Sequence, residues 1–420
     1  MLDTTKSECA KASLVDRFGI YPPLAWGYLG LLIFMTGVGV ESGYLSPYLV
    51  STGISGREVA LVFTLYGISV AIAAWLSGAL SDLWGPRQVM WAGLGIWTAF
   101  EIMFLMFGVR SGHFSRVSIT YTLRGIGYPL FAYGFLVWIA VATPPKRLGT
   151  AVGWFWFAFT AGFPTLGSLF ASYFVANIGP YRTLWWSLAF TFLGGLVAIL
   201  GIQEPLGKHP AAQEVNPLRT VLSSVTIAWQ EPKVGIGGII RTINTASQFG
   251  FFVFLPSFFT VTVGFTMTQW LRLLSIMFLS NVVWNLLFGV IGDRFGWRQT
   301  VAFCGGVGCA VTTLLLYYTP RAFGANYSLS VLVGALYGAT LAGYVPLSAL
   351  MPTLAPKRKG AAMSMLNLGA GASTWVGPGI VALLYPVAGV VGVMWTFAVL
   401  YLISAALTLV LTLPSVEHKR

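Results

Sequence analysis

The sequence predicts an all-α membrane protein with about twelve spanning helices, arranged as two related six-helix halves around a central cavity. Three observations predict this. First, the 420-residue chain is 56% hydrophobic and only 9% charged, with a mean hydropathy of +0.78, whereas soluble domains carry roughly 25% charged residues. Second, runs of about 20 apolar residues recur from end to end, each closed by Gly, Pro, Lys or Arg, and that is the length a helix needs to cross hydrocarbon. The short alternating segments of a membrane β-barrel are absent. Third, the chain repeats itself. Gly78, Asp82, Gly85 and Arg87 return as Gly289, Asp293, Gly296 and Arg298, an offset of about 211 positions that also relates the loop at Pro145 and Arg147 to the one at Pro356 and Arg358.

Spans are expected in order at 24–49, 58–80, 88–109, 117–142, 150–176 and 184–202, then at 234–258, 268–291, 299–319, 328–351, 359–385 and 389–413. The first apolar run is too long for a cleaved leader and lacks its small-residue ending, so it counts as a helix. Residues 203–233, with Glu204, Pro205, Lys208, Pro210 and Pro217, read as a solvated cytoplasmic linker. It divides an N-terminal bundle, 1–202, from a C-terminal bundle, 234–420.

The net charge of +12 comes from basic residues scattered between apolar runs, which form no nucleic-acid-binding stripe. With the N-terminus inside, about 16 Lys and Arg fall on the inner side and about five on the outer, as the positive-inside rule requires. Both termini are therefore expected in the cytoplasm. Arg124, Arg241 and Arg272 remain within spans. Cys9, Cys304 and Cys309 show no metal or disulfide spacing, and His113, His209 and His418 fall in loops or tails. No metal and no organic cofactor are expected. An intramembrane enzyme would need a nucleophile with a nearby base or metal, and the spans contain no histidine.

The segment from Gly78 to Arg87 resembles the signature between spans two and three of the major facilitator superfamily, and Gly289 to Arg298 is its second copy. The resemblance covers the whole chain. It implies alternating access by two rocking halves, with Gly78, Asp82, Gly85, Arg87 and their second-half counterparts as a gate latch.

Glu41 and Glu101 are the carboxylates inside expected spans, where a charge costs about 2.5–3.5 kcal/mol. Glu41 sits among Gly37, Gly39, Ser42 and Gly43, small neighbours that leave it accessible. Arg124 lies in a stretch with Gly125, Gly127 and Tyr128 that is similar to the superfamily's second signature, whose buried arginine works with an acidic residue. Glu41 and Arg124 are expected to form the proton-coupling pair: the arginine favours the ionised carboxylate, and desolvation opposes it. Glu101 has no evident polar neighbour and is expected toward the outer end of span three, its role left open.

The second half supplies uncharged polar groups. Asn244 and Gln248 share one helix face and Asn281 and Asn285 another, since residues four apart stack. Arg241 continues the first face, and Asn367, Tyr337 and Tyr344 are expected to join. Amides donate and accept at once, which suits vicinal hydroxyls. Tyr128 is a further candidate contact. Trp138, Trp154, Trp156, Trp284 and Trp375 offer flat faces for the CH side of a polyol. The stretches from Val38 to Pro47, Leu123 to Trp138 and Ala151 to Phe159 resemble bacterial polyol permeases of the ribitol and D-arabinitol type. That resemblance implies proton symport of a small neutral pentitol, the proton being the coupling ion. The protein is expected to work as a monomer in the bilayer, without nucleic acid. The alternatives are an organic-anion carrier in which Arg124 and Arg241 clamp a carboxylate, a multidrug antiporter, and a sensor that binds without flux.

Overall fold

The computed structural model describes residues 20–144, 147–202 and 226–411, so most of the expected linker lies outside the described residues. Ten helical stretches long and apolar enough to cross a bilayer come first. They are α1 Pro22–Ser51, α2 Gly56–Trp84, α3 Pro86–Ser111, α4 Phe114–Ala142, α5 Thr150–Ile178, α6 Pro180–Gly201, α7 Pro232–Thr262, α8 Met267–Phe295, α9 Trp297–Phe323 and α10 Tyr327–Leu354. An eleventh stretch, Lys359–Val410, has 52 residues. At 1.5 Å per residue it would run about 78 Å, far beyond a hydrocarbon core of about 30 Å. It is two helices, α11 (359–388) and α12 (390–410), which meet at Gly389, where φ 59° and ψ −163° are not helical. Twelve spans are thus present among the described residues.

The two halves start and stop helices with the same devices. At the head of α2 the Ser55 hydroxyl accepts from the Glu58 N–H, while the Glu58 carboxylate accepts from the Ser55 N–H at 2.9 Å. Thr266 and Gln269 repeat this reciprocal cap at the head of α8, also at 2.9 Å. Gly85 and Gly296 both take a positive φ, 87° and 96°, and each closes its helix by an N–H bond of 2.9 Å, to Ser81 O and Gly292 O. A Cβ is strained in that conformation, which is why the duplicated motif carries glycine there. Among the described residues the eight positive-φ glycines form four such pairs, the others being Gly53 with Gly264, Gly112 with Gly324 and Gly179 with Gly389.

Across the halves, α2 packs against α11 and α5 against α8. Gly67 permits the first approach: a Cβ there would overlap the Thr374 backbone, and the Thr374 hydroxyl instead donates to Gly67 O at 2.8 Å. The outer surface is apolar, with Leu286, Val290 and Leu383 exposed by 71%, 69% and 73%. Lipid covers such a belt, and inside it all backbone polar groups must be paired within helices.

On the face carrying the α1–α2 and α7–α8 loops, the halves are closed onto each other. The Trp270 indole donates to Gly43 O at 2.7 Å, the Ser275 hydroxyl to Thr165 O at 2.9 Å, and the Ser46 hydroxyl to Val253 O. Toward the opposite face, which carries the basic α2–α3 and α8–α9 loops, they part around a central cavity.

Candidate functional site

The central cavity has a volume of about 750 Å³ and is walled by both halves, a size that suits a small metabolite. Eight of the residues expected to bind substrate line it: Arg241, Asn244 and Gln248 on α7, Asn281 and Asn285 on α8, Asn367 on α11, Tyr344 on α10 and Trp156 on α5. The spacing explains the first five, since positions three, four or seven apart share a helix face. The two α8 amides are chained. The Asn281 amide donates to Gly338 O at 3.1 Å, so its oxygen is free to accept from the Asn285 amide at 3.2 Å. Among the described residues Arg241 is the one charged side chain on the wall, and it forms no ion pair or hydrogen bond there. Tyr133, Thr160 and Thr245 also line the cavity, and sequence reasoning missed them because nothing local distinguishes them from packing residues.

The remaining expected contacts lie elsewhere. Tyr337 is fully buried, its hydroxyl 2.8 Å from Ser247 and 3.2 Å from Tyr401. Tyr401 in turn donates to the Asn244 carbonyl at 2.9 Å, so this group braces α7 from behind. Trp154 is not on the cavity wall: Gly153, Trp156 and Thr160 present the inner face of α5, and a residue two positions from Trp156 points elsewhere. Trp375 follows Thr374, which faces α2, and is therefore turned outward, 39% exposed. Trp284 is likewise exposed and Trp138 is buried in the first-half core. Trp156, an expected contact, and Trp75, which sequence reasoning missed, supply the tryptophan faces of the wall.

Beyond the cavity, toward the closed face, lies a second chamber of about 40 Å³, lined by Glu41, Ser42, Tyr66, Tyr121, Tyr128 and by Phe249 and Phe252 of α7. Gln248 lines one chamber and Phe249 the other, so they are neighbours in depth. Tyr128 belongs here, beside the carboxylate. Glu41 stands where α1 breaks, immediately after the helix Ala25–Val40, and Arg124 ends the helix Phe114–Arg124 where α4 breaks. Arg124 Nη1 donates to Glu41 Oε2 at 2.8 Å and Nη2 donates to Glu41 Oε1; the Tyr121 hydroxyl donates to Glu41 Oε1 at 3.0 Å.

Glu101 corrects the sequence reading. It does not stand apart near the outer end of α3 but is wholly buried, and its Oε2 accepts from Arg124 Nη1. The guanidinium is stacked between Tyr121 and Trp97, 4.3 and 4.4 Å from their ring centres, an arrangement that favours a cation.

Of the latch residues, Gly78 lies at the cavity mouth. Gly85 and Gly296 make the turns described above, and the side chain of Asp82 lies outside the described residues. Asp293 accepts from the Trp297 indole at 2.7 Å, and Arg298 donates to Leu409 O, tying α9 to the end of α12. Gly289 has open space around it, and Arg87 is half-buried at the start of α3.

The sequence profile of the Major Facilitator Superfamily matches residues 27–270 and again residues 237–420, two overlapping matches that together span both halves. The chain belongs to that superfamily. It is 46% identical to the α-ketoglutarate permease of Bacillus subtilis (strain 168), over 96% of this chain and 92% of that protein. It is 33% identical to the D-arabinitol transporter of Klebsiella pneumoniae, over 94% of each. Among solved structures, a D-xylose–proton symporter superposes with a TM-score of 0.69 at 18% identity, covering 91% of this chain and 95% of that one, which shows the shared fold. This member of the superfamily is a multi-pass membrane transporter and not an enzyme.

Proposed function

We propose that the protein is a proton symporter that imports a small carboxylate across a bacterial inner membrane by alternating access. The observation that carries this reading is Arg241, a guanidinium with no ion pair among the described residues, on the wall of a cavity otherwise lined by amides, hydroxyls, aromatic rings and aliphatic side chains. Leaving a cation without a partner in such a site is costly unless a substrate anion supplies the partner. Arg124 cannot share the task, because two carboxylates already occupy its guanidinium. The 46% identity to an α-ketoglutarate permease supports the same class, and α-ketoglutarate is the substrate we would try first.

By the positive-inside rule the basic face is cytoplasmic, so the cavity opens inward and the Trp270–Gly43 contact closes the outer side. Glu41 is the proton-binding group in this reading: it touches Arg124 and lines the chamber next to the cavity. The proton is the coupling ion, and no metal or organic cofactor takes part. The Gly78–Arg87 and Gly289–Arg298 segments act as the cytoplasmic latch.

A neutral pentitol is the second reading. The Asn281–Asn285 pair and Gln248 favour it, as do Trp75 and Trp156 and the 33% identity to a D-arabinitol transporter. Uptake of labelled α-ketoglutarate and D-arabinitol into proteoliposomes, with and without an inward proton gradient, separates the two. Gradient-driven accumulation of α-ketoglutarate is expected, and it should disappear in Glu41→Gln while exchange persists. Accumulation of D-arabinitol alone would replace the carboxylate reading with the pentitol one, and flux of neither would reject both.

A further inference from the structure

We propose that Glu101 is the standing counter-charge of Arg124, the second carboxylate that lets the coupling site take up one proton without leaving a bare cation in the membrane. This rests on the coupling reading above. Arg124 Nη1 is shared between the two carboxylates, at 2.8 Å to Glu41 Oε2 and in direct contact with Glu101 Oε2. With both carboxylates ionised, the cluster carries one negative charge, and a single proton makes it neutral. A cluster of Glu41 and Arg124 alone would be neutral when empty and positive when loaded. Burial penalises net charge, so Glu101 turns loading from a step that creates buried charge into one that removes it.

The surroundings fit a fixed counter-charge. Glu101 is fully buried and lines neither chamber, whereas Glu41 lines the smaller one. Protons and water therefore reach the cluster through Glu41. The charged groups facing Glu101 are Arg124 of α4 and Glu41 of α1. Among the described residues the neutral groups that also face it are Tyr44 of α1 and Tyr66 of α2. Glu101 Oε1 has no hydrogen-bond partner, so its one strong tie is to Arg124. Glu101 acts as a positioning residue, through Arg124 and Glu41.

The test measures proton uptake when α-ketoglutarate is added to detergent-purified protein in weak buffer, as a function of pH, beside substrate binding read by tryptophan fluorescence. Wild type is expected to take up a proton on binding near neutral pH. Glu101→Gln should still bind, since Glu101 does not touch the cavity, but its proton uptake should need about tenfold or more higher proton concentration. Glu101→Asp, which keeps the charge on a shorter arm, should lie between the two, and it serves if the Gln variant does not fold. A wild-type uptake profile in Glu101→Gln, or in Glu101→Asp where only that variant folds, overturns the role of Glu101 and leaves the transport reading standing. Wild type that binds neither α-ketoglutarate nor D-arabinitol defeats the transport reading itself.

Discussion

The two halves share a backbone plan but not a chemistry. At the offset of the repeat, Glu41, Glu101 and Arg124 of the first half fall on Phe252, Thr312 and Ala335 of the second. Where the first half buries three charged groups, the second buries hydroxyls: Ser247, Tyr337 and Tyr401 bond to one another, and Thr312 lies 3.0 Å from the Thr340 hydroxyl. Phe252 even faces Glu41 across the small chamber. The same positions in one fold thus carry two kinds of cost. Removing a member of the ionic cluster leaves an uncompensated buried charge, while removing a hydroxyl leaves one hydrogen bond unmade. The second half spends its polar groups on the cavity wall, where α7 and α8 present Arg241 and four amides.

The largest effect should come from Arg124→Leu. It strands Glu41 and Glu101 together in an apolar site, and breaking a buried pair costs about 3–5 kcal/mol. Little folded protein is expected in the membrane, measured as the monodisperse peak in size-exclusion chromatography. Normal folding and a normal thermal midpoint would mean that the cluster is not ionic as built, and the contrast between the halves would lose its basis.

Next is Arg241→Gln, which probes the second half at its one cavity charge. A hydrogen bond to a charged group is worth about 1.5–3 kcal/mol, so the Michaelis constant for a carboxylate substrate should rise by one to two orders of magnitude. Thermal stability should change little, because Arg241 holds no ion pair among the described residues. Equal weakening for carboxylates and neutral polyols would show that Arg241 shapes the wall and does not anchor an anion.

Much of this was legible in the sequence, for reasons that show where legibility ends. Twelve apolar runs and a duplicated loop motif determine the spans and the repeat, because hydrocarbon thickness and backbone satisfaction leave helices little freedom. The cavity amides were legible because Asn244 with Gln248, and Asn281 with Asn285, are local pairs on one helix face. The partner of Glu101 was not. It depends on how α3 is rotated against α4, which no window of α3 encodes. Trp154 and Trp375 mislead for a related reason: an aromatic residue in a span is equally at home against lipid, and only the packing of α5 and of α11 decides which face it takes.

Trp270→Phe tests the contact that joins the halves. It keeps the ring against Phe259, whose centroid lies 5.1 Å away, and removes only the indole bond to Gly43 O. One neutral hydrogen bond is worth about 0.5–1.5 kcal/mol, which should move the inward-to-outward equilibrium about two- to tenfold toward the outward-open state. Labelling of single cysteines on the outer side of α1 and α7 reads that shift. An unchanged labelling ratio would mean that the apolar contacts around Gly43 hold the outer side shut without the indole.

The smallest effect on transport is expected from Tyr401→Phe, the second half's counterpart to the Arg124 change. The phenol ring stays, and the lost hydroxyl had bonded to Ser247, Tyr337 and the Asn244 carbonyl. Ser247 and Tyr337 retain their mutual bond of 2.8 Å, so one carbonyl is left short and the cost should stay near 1–2 kcal/mol. A thermal midpoint lowered by a few degrees, with proton coupling intact, is the expected result. Coupling lost in this variant would show that the hydroxyl network conducts the conformational change as the ionic cluster does, and the division of chemistry between the halves would then be one of means and not of role.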